Sequence, residues 1–138
     1  MPRAEWKRKY PDEKTWEGPR IATYEDLKAV DYELMILIGE LVDCIERMEE
    51  VVFFYGNSDR VVAPFVIGLS SDGNPLMRGY QLEGTSRSGK GSGWRVYQIK
   101  LIENLEHNGM FFVPENFGFV AEYPWIYKVI GMIKLEEG

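Results

Sequence analysis

Hydrophobic residues recur with two different periods along the chain, and the change falls near residue 50. From Tyr32 to about Met48 they return every three or four positions, which predicts one amphipathic helix over 32–48. Beyond it, short β-branched and aromatic runs alternate with turns of Gly, Asn, Asp and Ser, at about ten-residue spacing. The predicted strands are 51–56, 60–69, 75–82 and 94–99. This pattern is typical of a twisted antiparallel sheet or a small barrel.

The two ends of this region carry weaker signals. Thr23-x-x-Asp26 and Asp31 predict helix starts, because a short side chain with an oxygen atom can accept the free amide hydrogens of a first turn. After residue 100 the pattern predicts a short helical turn over 101–107, a strand fragment over 118–120 and a strand over 125–135. Gly131 is the expected bulge or bend of that last strand.

The apolar stripe of the 32–48 helix is wider than one small sheet would cover, because Met35, Ile36 and Val42 broaden it. Either the helix is sandwiched within its own chain, or it also packs against another subunit. We favour the second reading and expect a homo-oligomer.

Residues 1–20 have a different character from the rest of the chain. Three prolines interrupt them, so we expect an extended arm rather than a helix. Basic residues alternate there with Trp6, Tyr10 and Trp16. The arm either lies over the body or a neighbouring subunit, or it grips a nucleotide or single strand by stacking and charge. Residues 21–138 form the single predicted domain, with the barrel over about 51–135.

Charge and composition narrow the function classes. The arm carries six basic and four acidic residues, which leaves −8 on 21–138 in a chain whose net charge is −6. A body this acidic repels a polyanion, so we do not expect duplex DNA as a partner. We see no apolar segment long enough for a membrane span and no secretory signal. With Cys44 as the only cysteine, no internal disulfide is expected, and we expect a cytoplasmic protein.

A glycine- and serine-rich loop over 84–93 resembles the beginning of a phosphate-binding P-loop. Gly91 stands where that motif needs Ser or Thr for magnesium, and the chain continues as a strand rather than a helix, which argues against an NTPase. Two readings stay open, a flap that contacts phosphate and a mobile hairpin tip without a ligand. The candidate contacts in the loop are Ser86, Arg87, Ser88 and Lys90.

Catalytic and metal-binding patterns are sparse. His107 is the only histidine, so serine or cysteine catalysis would depend on it, and its position beside Asn108-Gly109 predicts a histidine in a surface turn. A two-histidine metal site and a thiolate zinc cage both need residues that one chain lacks. We therefore predict no catalytic residue, no metal and no cofactor, although carboxylate-pair hydrolysis stays open.

Three stretches resemble the WYL-domain family of ligand-binding domains, namely 60–64, 74–81 and 93–102. They carry an Arg-x-x-x-Pro strand, a strand that ends in Gly-Tyr, and a strand with an aromatic residue followed by arginine. The resemblance implies an α+β fold in which a helix leads into a five-stranded SH3/Sm-like barrel. It also implies a basic and aromatic groove for a nucleotide or single strand. Arg60 and Tyr80 match family positions, whereas Pro75-Leu76-Met77 replaces the Trp-Tyr-Leu that gives the family its name.

Arginines near these motifs could restore the charge that Gln98 and Leu101 remove from the family's later strand. In an extended strand Arg78 and Tyr80 share one face, so a ring could stack on a base while a guanidinium pairs with phosphate. The predicted ligand-binding residues outside the loop are Arg60, Arg78, Tyr80, Trp94 and Arg95.

A sensing domain without a DNA-binding output can sequester its ligand. We predict a stand-alone, non-enzymatic protein that binds a phosphorylated nucleotide, in the manner of a phage-type sponge for a nucleotide signal. The alternative is a regulatory module that binds single-stranded nucleic acid or a protein, and the third reading is an unrecognised nucleotide hydrolase.

Overall fold

The chain forms two helices and a seven-stranded sheet over residues 20–84, 91–119 and 125–134, the part that this computed structural model describes. The predicted arm over 1–20 lies outside the described residues except for Arg20. The elements are β1 (Arg20–Ile21), α1 (Tyr24–Leu27), α2 (Tyr32–Arg47), β2 (Glu49–Tyr55), β3 (Ser58–Leu69), β4 (Pro75–Glu83), β5 (Gly93–Gln98), β6 (Glu103–Phe111) and β7 (Lys128–Met132). Short 3-10 turns cover Ile99–Leu101 and Pro114–Phe117.

Both predicted helix starts are confirmed. Thr23 and Asp26 form a reciprocal capping box at α1, in which each side chain accepts a hydrogen bond from the other residue's backbone amide. The side chain of Asp31 accepts from the amide of Glu33 at the start of α2. Met48 ends α2 in the left-handed conformation, with φ of 57°, and β2 begins at the next residue. The sharp exit places the last turn of α2 beside β2.

β3 is the central strand of the sheet. It pairs with β4 along one edge, while its other edge pairs first with β2 and then with β7. β6 extends the sheet beyond β2, β5 extends it beyond β4, and all these pairs are antiparallel. β1 adds a parallel pair to β7. Irregular register beside Phe65 bends β3, because a bulge increases local twist.

The structure confirms the α+β class and the predicted antiparallel sheet. Pairing between β5 and β6, which would close the sheet into a barrel, does not occur among the described strands. The sheet is therefore open here.

The inner face of α2 packs over β3, β7 and β2. Four of its side chains are almost fully buried there, namely Ile38, Leu41, Cys44 and Ile45. Val42 lies against β7, where a Cβ added to Gly131 would come within 3.2 Å of its methyl carbon. Part of the wide apolar stripe of α2 therefore packs against the sheet of its own chain.

Three predictions after residue 100 need correction. Residues 101–107 are not a helical turn, because β6 begins at Glu103 and His107 pairs with Val51. Gly118 follows a 3-10 turn with φ of 63°, so no strand begins there, and Val120 lies outside the described residues. The strand expected over 125–135 is limited to β7. Its register gives Ile130 no partner on β3, which places a bulge beside Gly131.

A charged contact joins the first elements to the last strand. Lys128 Nζ donates to Asp26 Oδ1, and this bond is the main reason why the pKa of Asp26 is lowered to about 2. Among the residues described, neither helix is long and apolar enough to cross a bilayer.

Candidate functional site

The predicted ligand-binding residues divide between the two faces of β4 and β5. Side chains alternate along a strand, so Arg78 and Tyr80 point to one face of β4, while Gly79 and Gln81 point to the other. Trp94 pairs with Tyr80, and Arg95 pairs with Gly79. The structure therefore brings Arg78, Tyr80 and Trp94 together and places Arg95 on the opposite face.

Arg78 lies among aromatic rings on the first face. Its guanidinium carbon is 4.4 Å from the ring centroid of Trp94 and 5.3 Å from that of Phe119, both within the range of cation–π attraction. The side chain is 6% exposed, whereas Tyr80 and Trp94 are half-buried. A positive charge is thus held behind two rings that still reach the surface.

We call this group, with the other rings that pack on it, the Arg78 cluster. Tyr80 and Trp94 meet edge to face, with ring centroids 5.4 Å apart, and Phe117 packs on Tyr80 at 5.1 Å. The cluster comprises Phe65, Arg78, Tyr80, Trp94, Phe112, Phe117 and Phe119. Phe117 and Phe119 were not predicted from the sequence, where the only available signal was the density of phenylalanines over 111–119.

Arg60 belongs to a different, buried network on the opposite face. Its Nη1 donates to Gln81 Oε1 at 3.1 Å and its Nη2 to the carbonyl of Tyr55 at 3.0 Å. The hydroxyl of Tyr97 donates to the same Gln81 oxygen at 2.8 Å, and burial raises the pKa of Tyr97. The Nε–H of Arg60 is buried and donates to no partner among the described residues. We call these four residues the Arg60 network.

This network also anchors the glycine- and serine-rich loop. Gln81 Nε2 donates to the carbonyl of Gly91 at 2.6 Å, and Gly84 adopts a φ of 138° beside the Arg60 side chain. Arg95 donates to the carbonyls of Trp94 and Ser92, at the same end of the loop as Gly91. Ser86, Arg87, Ser88 and Lys90 lie outside the described residues, so the flap remains a prediction.

Two surface cavities lined by described residues lie away from these groups. One, of about 400 Å³, lies between the α1–α2 connection and the 72–75 turn, with Lys100 at its rim. The other, of about 100 Å³, lies beside Asp26 and Lys128. Neither is lined by a residue that the sequence predicted to bind ligand.

A second group of chemically capable side chains lies where α2, β2 and β6 meet. His107 Nδ1 is 3.5 Å from Cys44 Sγ and 3.1 Å from Glu49 Oε1, and the three donor atoms lie within 4.8 Å of one another. Arg47 donates to the same Glu49 oxygen from Nε at 3.2 Å. His107 was predicted to lie in a turn but lies in β6, and the group was not predicted, because the local pattern does not show the pairing of β6 with β2.

The geometry of this group does not suit a cysteine nucleophile. Cys44 is fully buried, and this burial raises the pKa of its thiol to about 11, so the thiolate is scarce near neutral pH. Catalytic thiol–imidazole pairs use one ring nitrogen for the thiol and the other for the orienting group. Here the thiol and the carboxylate both face Nδ1.

Comparison with known proteins adds no relative. No family model, no curated protein and no solved structure matches the chain.

Proposed function

We propose that this protein binds a phosphorylated nucleotide without cleaving it, at the half-buried faces of Tyr80 and Trp94. The supporting observation is the guanidinium of Arg78, held 4.4 Å from the Trp94 ring centroid. A base that stacks on a ring gains roughly 1–3 kcal/mol whatever its identity. The nearby positive charge adds attraction for a phosphate in a body that is otherwise acidic.

Because the predicted residues lie on two faces of the sheet, we assign ligand contact to one group and support of the loop to the other. Tyr80 and Trp94 would contact the base, and Arg87 and Lys90 of the loop would supply the charges that reach phosphate. Arg60 is tied to Gln81 and to the Tyr55 carbonyl on the opposite face. We therefore assign Arg60 and Arg95 to support of the loop rather than to ligand contact.

The proposal also includes a WYL-type barrel and the sequestration of a nucleotide signal. The barrel is supported by the motifs at 60–64, 74–81 and 93–102 and by the antiparallel pairing of the strands that carry them. Binding without cleavage would let the protein sequester a nucleotide signal in the cytoplasm, as a phage-type sponge does.

Isothermal titration calorimetry against AMP, ATP, ADP-ribose and a cyclic dinucleotide tests the proposal. We expect one member of the panel to bind. Tyr80→Ala should weaken the affinity for that nucleotide about 5- to 150-fold, the equivalent of one lost stacking contact. Tyr24→Ala is the matched control, because Tyr24 is 77% exposed on α1, away from the Arg78 cluster. Equal affinity in both variants would show that the Tyr80 ring is only structural.

Two further measurements separate the alternatives. Chromatography of the ligand after heat denaturation of the complex should return it intact, and a cleaved product would make the protein a hydrolase. Fluorescence anisotropy with a labelled single-stranded oligonucleotide should show weaker binding than the mononucleotide does. The reverse order would favour the single-strand reading.

A further inference from the structure

The only cysteine and the only histidine of the chain lie side by side, although 63 positions separate them. Cys44 projects from the last turns of α2, Glu49 is the first residue of β2, and His107 lies in the middle of β6. We propose that these three side chains form a binding site for one zinc ion. This proposal is independent of nucleotide binding.

The spacing of the donor atoms supports this assignment. Zinc bonds of about 2.3 Å to sulfur and 2.0–2.1 Å to nitrogen or oxygen, at tetrahedral angles, give edges of roughly 3.6 Å for S···N and 3.3 Å for N···O. The observed distances from His107 Nδ1 are 3.5 Å to Cys44 Sγ and 3.1 Å to Glu49 Oε1. Two of the three edges therefore match those of a zinc tetrahedron, and the third, between Cys44 Sγ and the Glu49 carboxylate, is no longer than 4.8 Å.

The use of a single imidazole nitrogen distinguishes this group from a proton relay. A relay would engage both ring nitrogens, whereas a metal needs its donors to converge on one point. Sulfur, nitrogen and oxygen donors together are a set that zinc accepts. On binding, the Cys44 thiol passes its proton to water, and the sulfur coordinates as thiolate.

The surroundings leave room for a fourth ligand. Cys44 closes the site from the core side, while the side chain of His107 is 42% exposed and that of Glu49 is 12% exposed. Three protein ligands and an open position are the arrangement of zinc sites that hold a water or an exogenous group. Entry from solvent would pass beside His107.

Arg47 is the competitor for this site. Its Nη2 lies 3.1 Å from Glu49 Oε1, the oxygen assigned to the metal, and 3.9 Å from the Cys44 sulfur. Its side chain is 50% exposed, so it can swing into solvent when a cation arrives. Removal of the guanidinium should therefore tighten zinc binding several-fold.

The test uses the full chain without a polyhistidine tag, stripped of metal by chelation. Titration with Zn²⁺ against a chromophoric chelator should give one ion per chain. Titration with Co²⁺ should give the visible bands of four-coordinate cobalt and a thiolate charge-transfer band in the near ultraviolet. His107→Gln should weaken Zn²⁺ binding at least 100-fold, and Glu49→Gln should behave similarly, since losses of 10–100-fold are typical even for outer contacts.

Glu50→Gln is the matched control. Glu50 is the neighbour of Glu49, and its carboxylate accepts a hydrogen bond from Asn108, the neighbour of His107. It therefore reports on the same two strands from outside the site and should leave Zn²⁺ affinity unchanged. Because His107 is an exposed residue, its substitution tests the site even if Cys44→Ala, which should abolish the charge-transfer band, fails to fold.

Several results would overturn the proposal. Absence of Zn²⁺ binding would leave the group as a hydrogen-bonded cluster, and equal affinity in His107→Gln and Glu50→Gln would place the ion elsewhere. A cobalt spectrum without a thiolate band would exclude Cys44 as a ligand. Weaker binding in Arg47→Gln would contradict the placement of the metal at Glu49 Oε1.

Discussion

At the scale of single residues, Gln81 connects the buried polar groups near the candidate site through three hydrogen bonds of its amide. It is fully buried, its Oε1 accepts from Arg60 and from Tyr97, and its Nε2 donates to the carbonyl of Gly91. One amide oxygen thus accepts from a buried cation and a buried phenol, while the amide nitrogen donates to the carbonyl at the end of the loop. A buried charge is tolerated only when such partners are present.

Gln81→Leu keeps the volume but removes both functions of the amide. Arg60 and Tyr97 each lose an acceptor, and we expect a loss of at least about 2 kcal/mol of unfolding free energy, measured by urea denaturation. Tyr97→Phe should cost only about 1 kcal/mol, because Gln81 still accepts from Arg60. Gln98→Leu, at a half-buried position on β5, serves as the control. A cost for Gln81→Leu no larger than that of the control would contradict this account.

The positions of some side chains near the candidate site could be predicted from the sequence, and there is a physical reason why the others could not. The alternation of β4 correctly places Arg78 and Tyr80 on one face, because that rule is local. The position of Arg60 relative to β4 depends on the register of β3 against β4, which shifts between Val61 and Val62 and again beside Phe65. Local pattern does not show bulges or contacts between residues 63 positions apart, so the Arg60 network and the Cys44–Glu49–His107 group were not predicted.

At the scale of elements, the contact of α2 with β7 explains Gly131, which we predicted from the sequence to be a bulge or bend. A Cβ on Gly131 would lie 3.2 and 3.3 Å from the two methyl carbons of Val42, closer than such contacts normally are. Gly131 therefore lets the helix approach the strand. The bulge in β7 falls at the neighbouring Ile130.

Gly131→Ala should overpack this contact and cost about 1–3 kcal/mol of stability in urea denaturation. Combination with Val42→Ala should recover at least about 1 kcal/mol of that loss, as a double-mutant cycle would show. Gly39→Ala is the comparison, because an added Cβ there meets nothing within 4 Å and alanine favours the helix. Strict additivity of Gly131→Ala and Val42→Ala would mean that the two side chains do not compete for space.

Most helices and strands were predictable, because an element with one buried face repeats its hydrophobic residues at a regular spacing. α2 and β2 to β5 each have a buried face, and their bounds agree with the predicted ranges to within about two residues. β6 has almost no buried side chain, so it shows no alternation and was interpreted as a helical turn. Its strand conformation comes from backbone pairing with β2, which a hydrophobic pattern does not reveal.

At the scale of the whole molecule, the open question is assembly. The wide apolar stripe of α2 led us to predict a homo-oligomer, and the fold now divides that stripe. Val42 is used within the chain against β7, whereas Ile36 remains 48% exposed and Tyr32, one turn earlier, 77% exposed. These two side chains lie on one face of the helix because they are four residues apart. They are the surface through which we still expect association.

Light scattering at micromolar concentration should therefore give a mass that is a multiple of the 16.0 kDa chain. Ile36→Glu should shift that mass to the monomer with little change in thermal stability, because the charge would be buried only in the assembly. Glu40→Ala, at an exposed position of α2, should leave the mass unchanged. Met35→Glu should also destabilise the chain, because Met35 is partly buried against the core. Val42→Glu should instead unfold the chain, since it buries a charge against Gly131. A mass of 16.0 kDa for the unmodified protein would show that the exposed part of the stripe has no partner in a second copy.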